Sequence, residues 1–280
     1  MSITMLSCQI DRSETAPALS QDDERAVDSI VQAMSRARRL LFITGAGMSA
    51  DSGLPTYRGR DGIYRTQQTT PHGLSIEQAL SGPMLRTRPE ITWHYLLELE
   101  KTSRHAAPNR GHHVLAEMDD YFDAVWIVTQ NVDGLHQRAG SRNVLDMHGS
   151  LHALECMRCG QQTTTRDYSK LTLPPRCSEC EGPIRPQVVL FEEELPYDKL
   201  SRLWCEFSAG FDLIFSIGTS SMFEYIVEPV LVGRQMGITT VEINPETTSI
   251  SSEVDIKIGA GAATVLASIW ERYLAWWPSA

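Results

Sequence analysis

Residues Arg38 to Arg58 read RRLLFITGAGMSADSGLPTYR, and the rest of the chain can be interpreted outward from them. The apolar run Leu40 to Ile43 predicts a short strand that is buried on both faces. The following residues, Gly45 to Ala50, match the fingerprint G-x-G-x-x-G/A of a strand-to-helix turn. Its glycines let the backbone approach a pyrophosphate, which the amides and dipole of the next helix then face. The stretch predicts a nucleotide site, although ordinary tight turns share this pattern.

Length and composition limit the classes of protein to which the chain can belong. The chain has 280 residues, of which 42% are hydrophobic, and its formal net charge is −10. This length allows two domains or one domain with an insertion. The acidic balance argues against a nucleic-acid partner and is compatible with a basic peptide. Because residues 1–20 lack the features of a signal peptide and no apolar run could span a bilayer, we expect a cytoplasmic protein without a membrane partner.

Small or amide-bearing residues follow several predicted strands. Buried strands are predicted at residues 123–129, 144–149, 212–217 and 238–243. The residues just past these strands and past the first one include the following: Gly45, Gly47, Gln130, Asn131, Gly218, Ser220 and Asn244. In an open parallel sheet, ligands bind along the edge where the strands end. The pattern therefore favours a dinucleotide, while the alternative is that such residues simply populate loops.

The cysteines suggest a metal site. Two C-x-x-C pairs, Cys156 with Cys159 and Cys177 with Cys180, are separated by seventeen residues. This is the spacing of a zinc ribbon, in which four thiolates complete a tetrahedral shell and leave no position open for catalysis. We interpret the predicted ion as structural. A redox pair of dithiols and free cysteines are the alternatives.

Taken together, the motifs resemble the sirtuins, a family of NAD-dependent protein deacylases, in their bacterial form. The resemblance runs from about residue 25 to the C-terminus. It includes both cysteine pairs and the following stretches: GAGMSADSGLPTYRG (45–59), TQNVDGLHQRAG (129–140), MHGS (147–150), RPQVVLF (185–191), GTSS (218–221) and VEINPE (241–246). The combination in this order is far more specific than any single motif.

The resemblance implies an α/β fold, with a Rossmann-like parallel-sheet domain and a smaller domain made of a zinc ribbon and a helical insertion. Residues 21–58, 105–150 and 185–280 would form the large NAD-binding domain. Residues 59–104 and 151–184 would form the small domain, and residues 1–20 a flexible tail. One structural zinc ion and NAD are the implied cofactors.

The resemblance also implies a reaction: the acyl group of a protein lysine is transferred to ADP-ribose, giving nicotinamide and O-acyl-ADP-ribose. His148 would be the catalytic base, and Asn131 would order the ribose and a water molecule. The implied cofactor-binding residues are Gly45, Ala46, Gly47, Ala50, Asp51, Thr56, Tyr57, Arg58, Gln130, Asn131, Asp133, Gly218, Thr219, Ser220 and Asn244. The backbone of an acyl-lysine peptide would add as a strand to the segment Val188, Val189, Leu190, Phe191 and Glu192.

The chain departs from the family pattern at three places. Tyr57 stands where Phe is usual, Glu192 stands where Gly is usual, and Met222 to Tyr225 replace a Val-x-Pro stretch. In the helical insertion, members that remove succinyl groups carry a Tyr-x-x-Arg pair. The corresponding residues here are Trp93, Tyr95, Leu96 and Leu97, without an arginine. We therefore expect neutral acyl groups, acetyl first.

Other classes of function stay open at this point. A protein mono-ADP-ribosyltransferase would share the cleavage of NAD. A non-catalytic NAD or ADP-ribose binding module would be expected to lack His148 or Asn131, and both are present. A zinc-ribbon nucleic-acid binder is disfavoured by the net charge of −10. The oligomeric state is not predicted.

Overall fold

The computed structural model describes residues 19–56 and 73–276. Within this part, the helices are α1 Gln21–Met34, α2 Ile76–Ala79, α3 Gly82–Thr87, α4 Pro89–Ser103, α5 Arg110–Met118, α6 Leu135–Ala139, α7 Tyr197–Ser208, α8 Glu224–Gln235 and α9 Ala262–Trp276. The strands are β1 Arg39–Thr44, β2 Ala124–Thr129, β3 Asn143–Asp146, β4 Gly149–Cys156, β5 Gln162–Thr164, β6 Ile184–Val188, β7 Leu213–Ile217, β8 Thr239–Ile243 and β9 Ile256–Ile258.

The larger sheet confirms the predicted α/β fold. Its six strands lie in the order β3-β2-β1-β7-β8-β9. Every neighbouring pair is parallel, and Phe42 at the centre of β1 is paired with Ile127 on one side and Phe215 on the other. The strand order changes direction between β1 and β7. In sheets of this kind the crevice beyond the strand ends at such a point binds ligands.

Helices cover both faces of this sheet, which explains why β1 is a continuous apolar run. Leu40 and Phe42 pack into the core beneath α1, α5 and α9. Leu41 and Ile43 point to the opposite face, where they pack in a second core with residues of α7 and α8. Because successive side chains of a strand alternate between faces, burial of both faces demands apolar residues at every position.

A smaller sheet and the helical insertion share a third core. The three strands lie in the order β5-β4-β6 and pair antiparallel. Leu80 from the insertion packs there with Leu154 of β4 and Val188 of β6. The strand Ile184–Val188 therefore lies in the small sheet, although residues from 185 onward were expected in the large domain. The two-domain division itself stays a prediction.

Two features of the chain differ from the expectations. Ala46–Ser52, after the glycine turn, is a seven-residue 3-10 helix that ends at Gly53 with φ of 80°. Its serines and aspartate favour local hydrogen bonds over a long α-helix. The helix α8 was not predicted, because Pro229 lies in its interior and ordinarily breaks a helix pattern.

Ser20 caps α1, since its Oγ accepts a hydrogen bond of 3.1 Å from the amide of Asp23. In the described part of the chain, no helix combines the length and the apolar character needed to cross a bilayer. Tyr57 and Arg58 lie outside the described residues, as does most of the predicted N-terminal tail.

Candidate active site and metal centre

A cavity of about 730 Å³ lies at the carboxyl ends of the central strands. This volume is in the range of small-molecule and cofactor sites. The predicted site residues that line it are Ala46, Gly47, Ala50, Asp51, Thr56, Gln130, Asn131, His148, Val188, Val189, Leu190, Phe191, Glu192, Gly218, Thr219, Ser220 and Asn244. The structure thus brings together residues from the turns after β1, β2, β7 and β8.

Two of the predicted residues lie next to this cavity rather than along it. Asp133 lines a smaller cavity of about 40 Å³, which shares Ala46 and Asn131 with the large one. Gly45 holds the turn in place, since its amide donates a 3.0 Å hydrogen bond to the carbonyl oxygen of Ile217. A side chain at Gly45 would place its Cβ 2.8 Å from the carbonyl oxygen of Gly218, so only glycine fits.

The side-chain amide nitrogen of Asn131 joins the turn after β2 to the turn after β1. Its Nδ2 donates hydrogen bonds to the carbonyl oxygen of Gly45 at 3.0 Å and to Ser49 Oγ at 3.1 Å. Ser49 Oγ in turn donates to Asp133 at 2.8 Å. Burial raises the pKa of Asp133, although the hydrogen bonds from the Leu135 amide and from Ser49 oppose the rise. Asn131 is therefore fixed in one orientation at the end of β2.

His148 lies on the same cavity, between β3 and β4. Its Nδ1 is 3.0 Å from the backbone carbonyl oxygen of Gln130, and its Nε2 is 2.7 Å from the hydroxyl of Tyr225. Tyr225 was not among the predicted site residues. The only sequence signal for it was the departure from the family pattern at residues 222–225. The contact joins residues that are far apart in the sequence, so local patterns could not reveal it.

One end of the cavity is apolar. Its leucines and valines come from the helical insertion, from the small sheet and the segment after it, and from the turn after β2: Leu80, Leu96, Leu99, Val132, Leu151, Val188 and Leu190. Of the four insertion residues expected here, only Leu96 lines the cavity. Trp93 is instead 1% exposed, and its Nε1 donates to the carbonyl oxygen of Ile184 at 3.3 Å. Trp93 and Tyr95 do not line the cavity as expected, because they pack in the core shared by the insertion and the small sheet.

The predicted substrate segment after β6 is anchored to the helical insertion. The amide of Phe191 donates to the carbonyl oxygen of Leu80 at 3.0 Å, and the amide of Gly82 donates to the carbonyl oxygen of Phe191 at 3.0 Å. Glu192 has φ of 65°, in the left-handed region. A residue in this conformation turns the chain sharply, so the segment bends away after Phe191.

A partly buried ion pair supports this turn. The guanidinium of Arg185 donates two hydrogen bonds to the carboxylate of Glu193, at 2.7 and 2.6 Å. The amide of Leu190 donates to the same carboxylate at 3.0 Å. Burial alone would raise the pKa of Glu193, but these hydrogen bonds outweigh it and lower the pKa. Two-point contact with a planar guanidinium fixes the carboxylate, and hence the turn, in one geometry.

The four predicted metal ligands form one cluster. The Sγ atoms of Cys156, Cys159, Cys177 and Cys180 all lie within 4.8 Å of one another. Two Sγ pairs are separated by 3.5 and 3.7 Å. Zn–S bonds of about 2.3 Å in a tetrahedral site would place the sulfurs about 3.8 Å apart, so the cluster fits zinc.

The fold and these sites define an α/β nucleotide-binding protein with a four-cysteine zinc centre. The Sir2 family model matches residues 45–224, and the chain belongs to that family. It is 45% identical to "NAD-dependent protein deacylase 2" of Pseudomonas aeruginosa, over 89% of this chain and 97% of that protein. The family assignment confirms the resemblance drawn from the motifs.

Solved structures of Sir2 proteins are similar to this chain along most of its length. A Sir2 homologue in complex with NAD is 31% identical, with a TM-score of 0.79, and the match covers 89% of this chain and 94% of the other. A Sir2 variant with a deacetylated p53 peptide and 3′-O-acetyl ADP-ribose is 27% identical, with a TM-score of 0.78, and the match covers 88% of this chain and 98% of the other.

Proposed function

We propose that this chain is an NAD-dependent protein-lysine deacylase that prefers neutral acyl groups, acetyl first. The observation that carries the proposal is the position of His148. This imidazole lines one cavity together with Asn131, the glycine turn of Gly47 and the apolar wall that includes Leu96. A base, a nucleotide-binding turn and an apolar end in one cavity are what the transfer of an acyl group to ADP-ribose requires.

The chain's own residues would have distinct roles. His148 would take a proton at Nε2, a transfer for which a neutral imidazole near pH 7 is suited. Asn131 would orient a hydroxyl and a water molecule, since its position is fixed from Gly45 and Ser49. Bound NAD would supply the ribose that receives the acyl group and the nicotinamide that leaves. The remaining predicted contacts to the cofactor are proposals of the same kind.

The proposed preference for neutral acyl groups is an electrostatic argument. An acyl group with a carboxylate would have to be buried among side chains such as Leu80, Leu96 and Leu151, and an unpaired charge in apolar surroundings is strongly unfavourable. Glu192 lines the same cavity and would repel an anion. Arg185 lies close by, but its guanidinium is already paired with Glu193.

The test is a panel of one peptide carrying acetyl-, butyryl-, myristoyl- or succinyl-lysine, incubated with NAD. Nicotinamide release and peptide mass are followed together. We expect the acetyl or a longer neutral peptide to have the highest kcat/KM and the succinyl peptide the lowest. If succinyl-lysine proves the best substrate, the proposed acyl preference is wrong.

His148→Ala tests the role of the proposed base in the same assay. It should lower kcat by about a hundredfold, the size of a typical general-base contribution, while NAD still binds. A peptide whose mass rises by one ADP-ribose would indicate ADP-ribosyl transfer. NAD binding without turnover would indicate a binding module. The cytoplasmic location and the absence of nucleic-acid and membrane partners stay predictions.

A further inference from the structure

Tyr225 makes the closest described contact to the ring nitrogen of His148 that faces away from the backbone. It is the second residue of α8, and it lines the same cavity as His148. Its hydroxyl is 2.7 Å from His148 Nε2, and the two ring centroids are 6.1 Å apart. A hydroxyl at this distance forms a good hydrogen bond with an imidazole nitrogen.

The surrounding hydrogen bonds determine which atom carries each proton. The hydroxyl of Thr219 accepts the amide N–H of Ser221 at 3.2 Å and donates to Gln130 Oε1 at 2.9 Å. Gln130 presents its Nε2 to Tyr225 and donates to the tyrosine hydroxyl at 3.2 Å. Since Gln130 approaches this hydroxyl as a donor, the tyrosine proton is directed to the acceptor at 2.7 Å, His148 Nε2.

The other nitrogen of His148 completes the assignment. A backbone carbonyl oxygen can only accept a hydrogen bond, so Nδ1, at 3.0 Å from the carbonyl oxygen of Gln130, carries the proton. The ring is then neutral, with its basic lone pair on Nε2. Burial raises the pKa of Tyr225 to about 12, so its hydroxyl stays protonated and able to donate.

We propose that Tyr225 is a positioning residue for His148. It holds the imidazole as the neutral Nδ1–H tautomer and keeps Nε2 available at the cavity until a substrate hydroxyl takes the place of the tyrosine. The proposal rests on the role of His148 as base. A hydrogen bond donated to the neutral form of an imidazole disfavours its protonation, so Tyr225 also keeps the base in its active form at lower pH.

Tyr225→Phe isolates this hydrogen bond. The ring of Tyr225 packs against Phe223, at 6.0 Å between centroids, and the substitution keeps that contact. The carboxylates that line the cavity also stay in place, so their effect on His148 is unchanged: Asp51, Glu192, Glu193, Glu224 and Glu246. Tyr197→Phe is the matched control, because Tyr197 is 83% exposed on α7.

The first measurement uses the folded protein without NAD. Imidazole ¹⁵N chemical shifts of the unsubstituted chain should report the Nδ1–H tautomer of His148. In Tyr225→Phe, the pH midpoint of the His148 titration should rise by about 0.5 to 1, the equivalent of one lost net hydrogen bond. Tyr197→Phe should leave it unchanged. An Nε2–H tautomer in the unsubstituted chain would overturn the proposal even if the variant fails to fold.

The second measurement is kinetic. Tyr225→Phe should lower kcat about two- to tenfold with KM for NAD nearly unchanged, and the acid limb of kcat/KM should move to higher pH. An unchanged acid limb and an unchanged ¹⁵N midpoint would contradict the proposal. Because the ¹⁵N measurements need no turnover, failure of this proposal is distinguishable from failure of the proposed deacylase function.

Discussion

The amide of Gly47 donates a 2.8 Å hydrogen bond to the carbonyl oxygen of Gly218. These glycines lie in the turns after β1 and β7, on the two sides of the point where the strand order changes direction. A Cβ atom on Gly47 would lie 2.6 Å from Gly218 Cα, and one on Gly218 would lie equally close to Gly47. The glycines are therefore needed because two backbones meet, in addition to any approach to a phosphate.

Gly47→Ala should consequently lower the free energy of unfolding by about 1–3 kcal/mol, the usual cost of overpacking, and weaken NAD binding. The contact is with backbone atoms, which cannot move aside as a flexible side chain could. Urea denaturation and NAD titration measure the two effects. Gly259→Ala is the control, since its Cβ would meet nothing within 4 Å. Equal stability of the two variants would contradict this explanation.

The zinc site predicts a dependence of folding on metal. Cys180→Ser removes one of four ligands, so we expect loss of bound zinc and a large loss of soluble, folded protein, because binding of structural zinc is coupled to folding. Metal analysis and thermal unfolding check this. Cys205→Ser is the matched control, since Cys205 is exposed and outside the cluster. Zinc-free Cys180→Ser protein that is folded and active would show that the metal is dispensable.

Glu192 occupies a backbone conformation that suits glycine, with φ of 65°. Glu192→Gly should therefore raise the free energy of unfolding by about 1 kcal/mol, as the left-handed strain is relieved. Glu194→Gly is a control two residues away, where φ is not positive, and it should not stabilise. Urea denaturation compares the two variants.

Glu192→Gly should also widen tolerance for the peptide around the lysine without creating activity on succinyl-lysine. A gain in kcat/KM for succinyl-lysine would argue against the proposed preference for neutral acyl groups.

Two buried histidines predict a dependence of stability on pH. Burial lowers the pKa of His112 to about 4, and burial also lowers the pKa of its neighbour His136. Their rings lie 4.8 Å apart. In the unfolded chain these histidines bind protons below about pH 6.5, whereas in the folded chain they stay neutral. The free energy of unfolding therefore carries no penalty from them above that pH, and it falls as the pH decreases towards 4.

His112→Gln should remove part of this dependence. Gln can keep the cap, in which the amide of Asn109 donates to His112 Nδ1 at 3.3 Å. Between pH 6.5 and 4 the variant should lose about 3 kcal/mol less stability than the unsubstituted chain. Denaturation at a series of pH values measures the difference. His105→Gln, at an exposed histidine away from this pair, should keep the original pH profile, and a parallel profile for His112→Gln would contradict the assignment.

Local chemistry in the sequence was sufficient for several elements. The run Leu40 to Ile43 predicted β1 because burial on both faces leaves no place for a polar residue, and the strand extends one residue beyond it at each end. The cysteine pairs predicted the metal cluster because each C-x-x-C supplies two thiolates from one turn. The order of the motifs predicted the family, and most of the site residues implied by it line the cavity.

Contacts between distant segments were decided by the tertiary structure alone. Whether Trp93 or Leu96 faces the cavity depends on how α4 is rotated against the small sheet, and apolar residues on several sides of that helix leave the rotation open. Tyr225 meets His148 although β1 and β2 lie between β7 and β3, because both residues lie beyond the carboxyl ends of these parallel strands. Sequence patterns report which side chains are buried or polar, but the pairing of strands determines which of them touch.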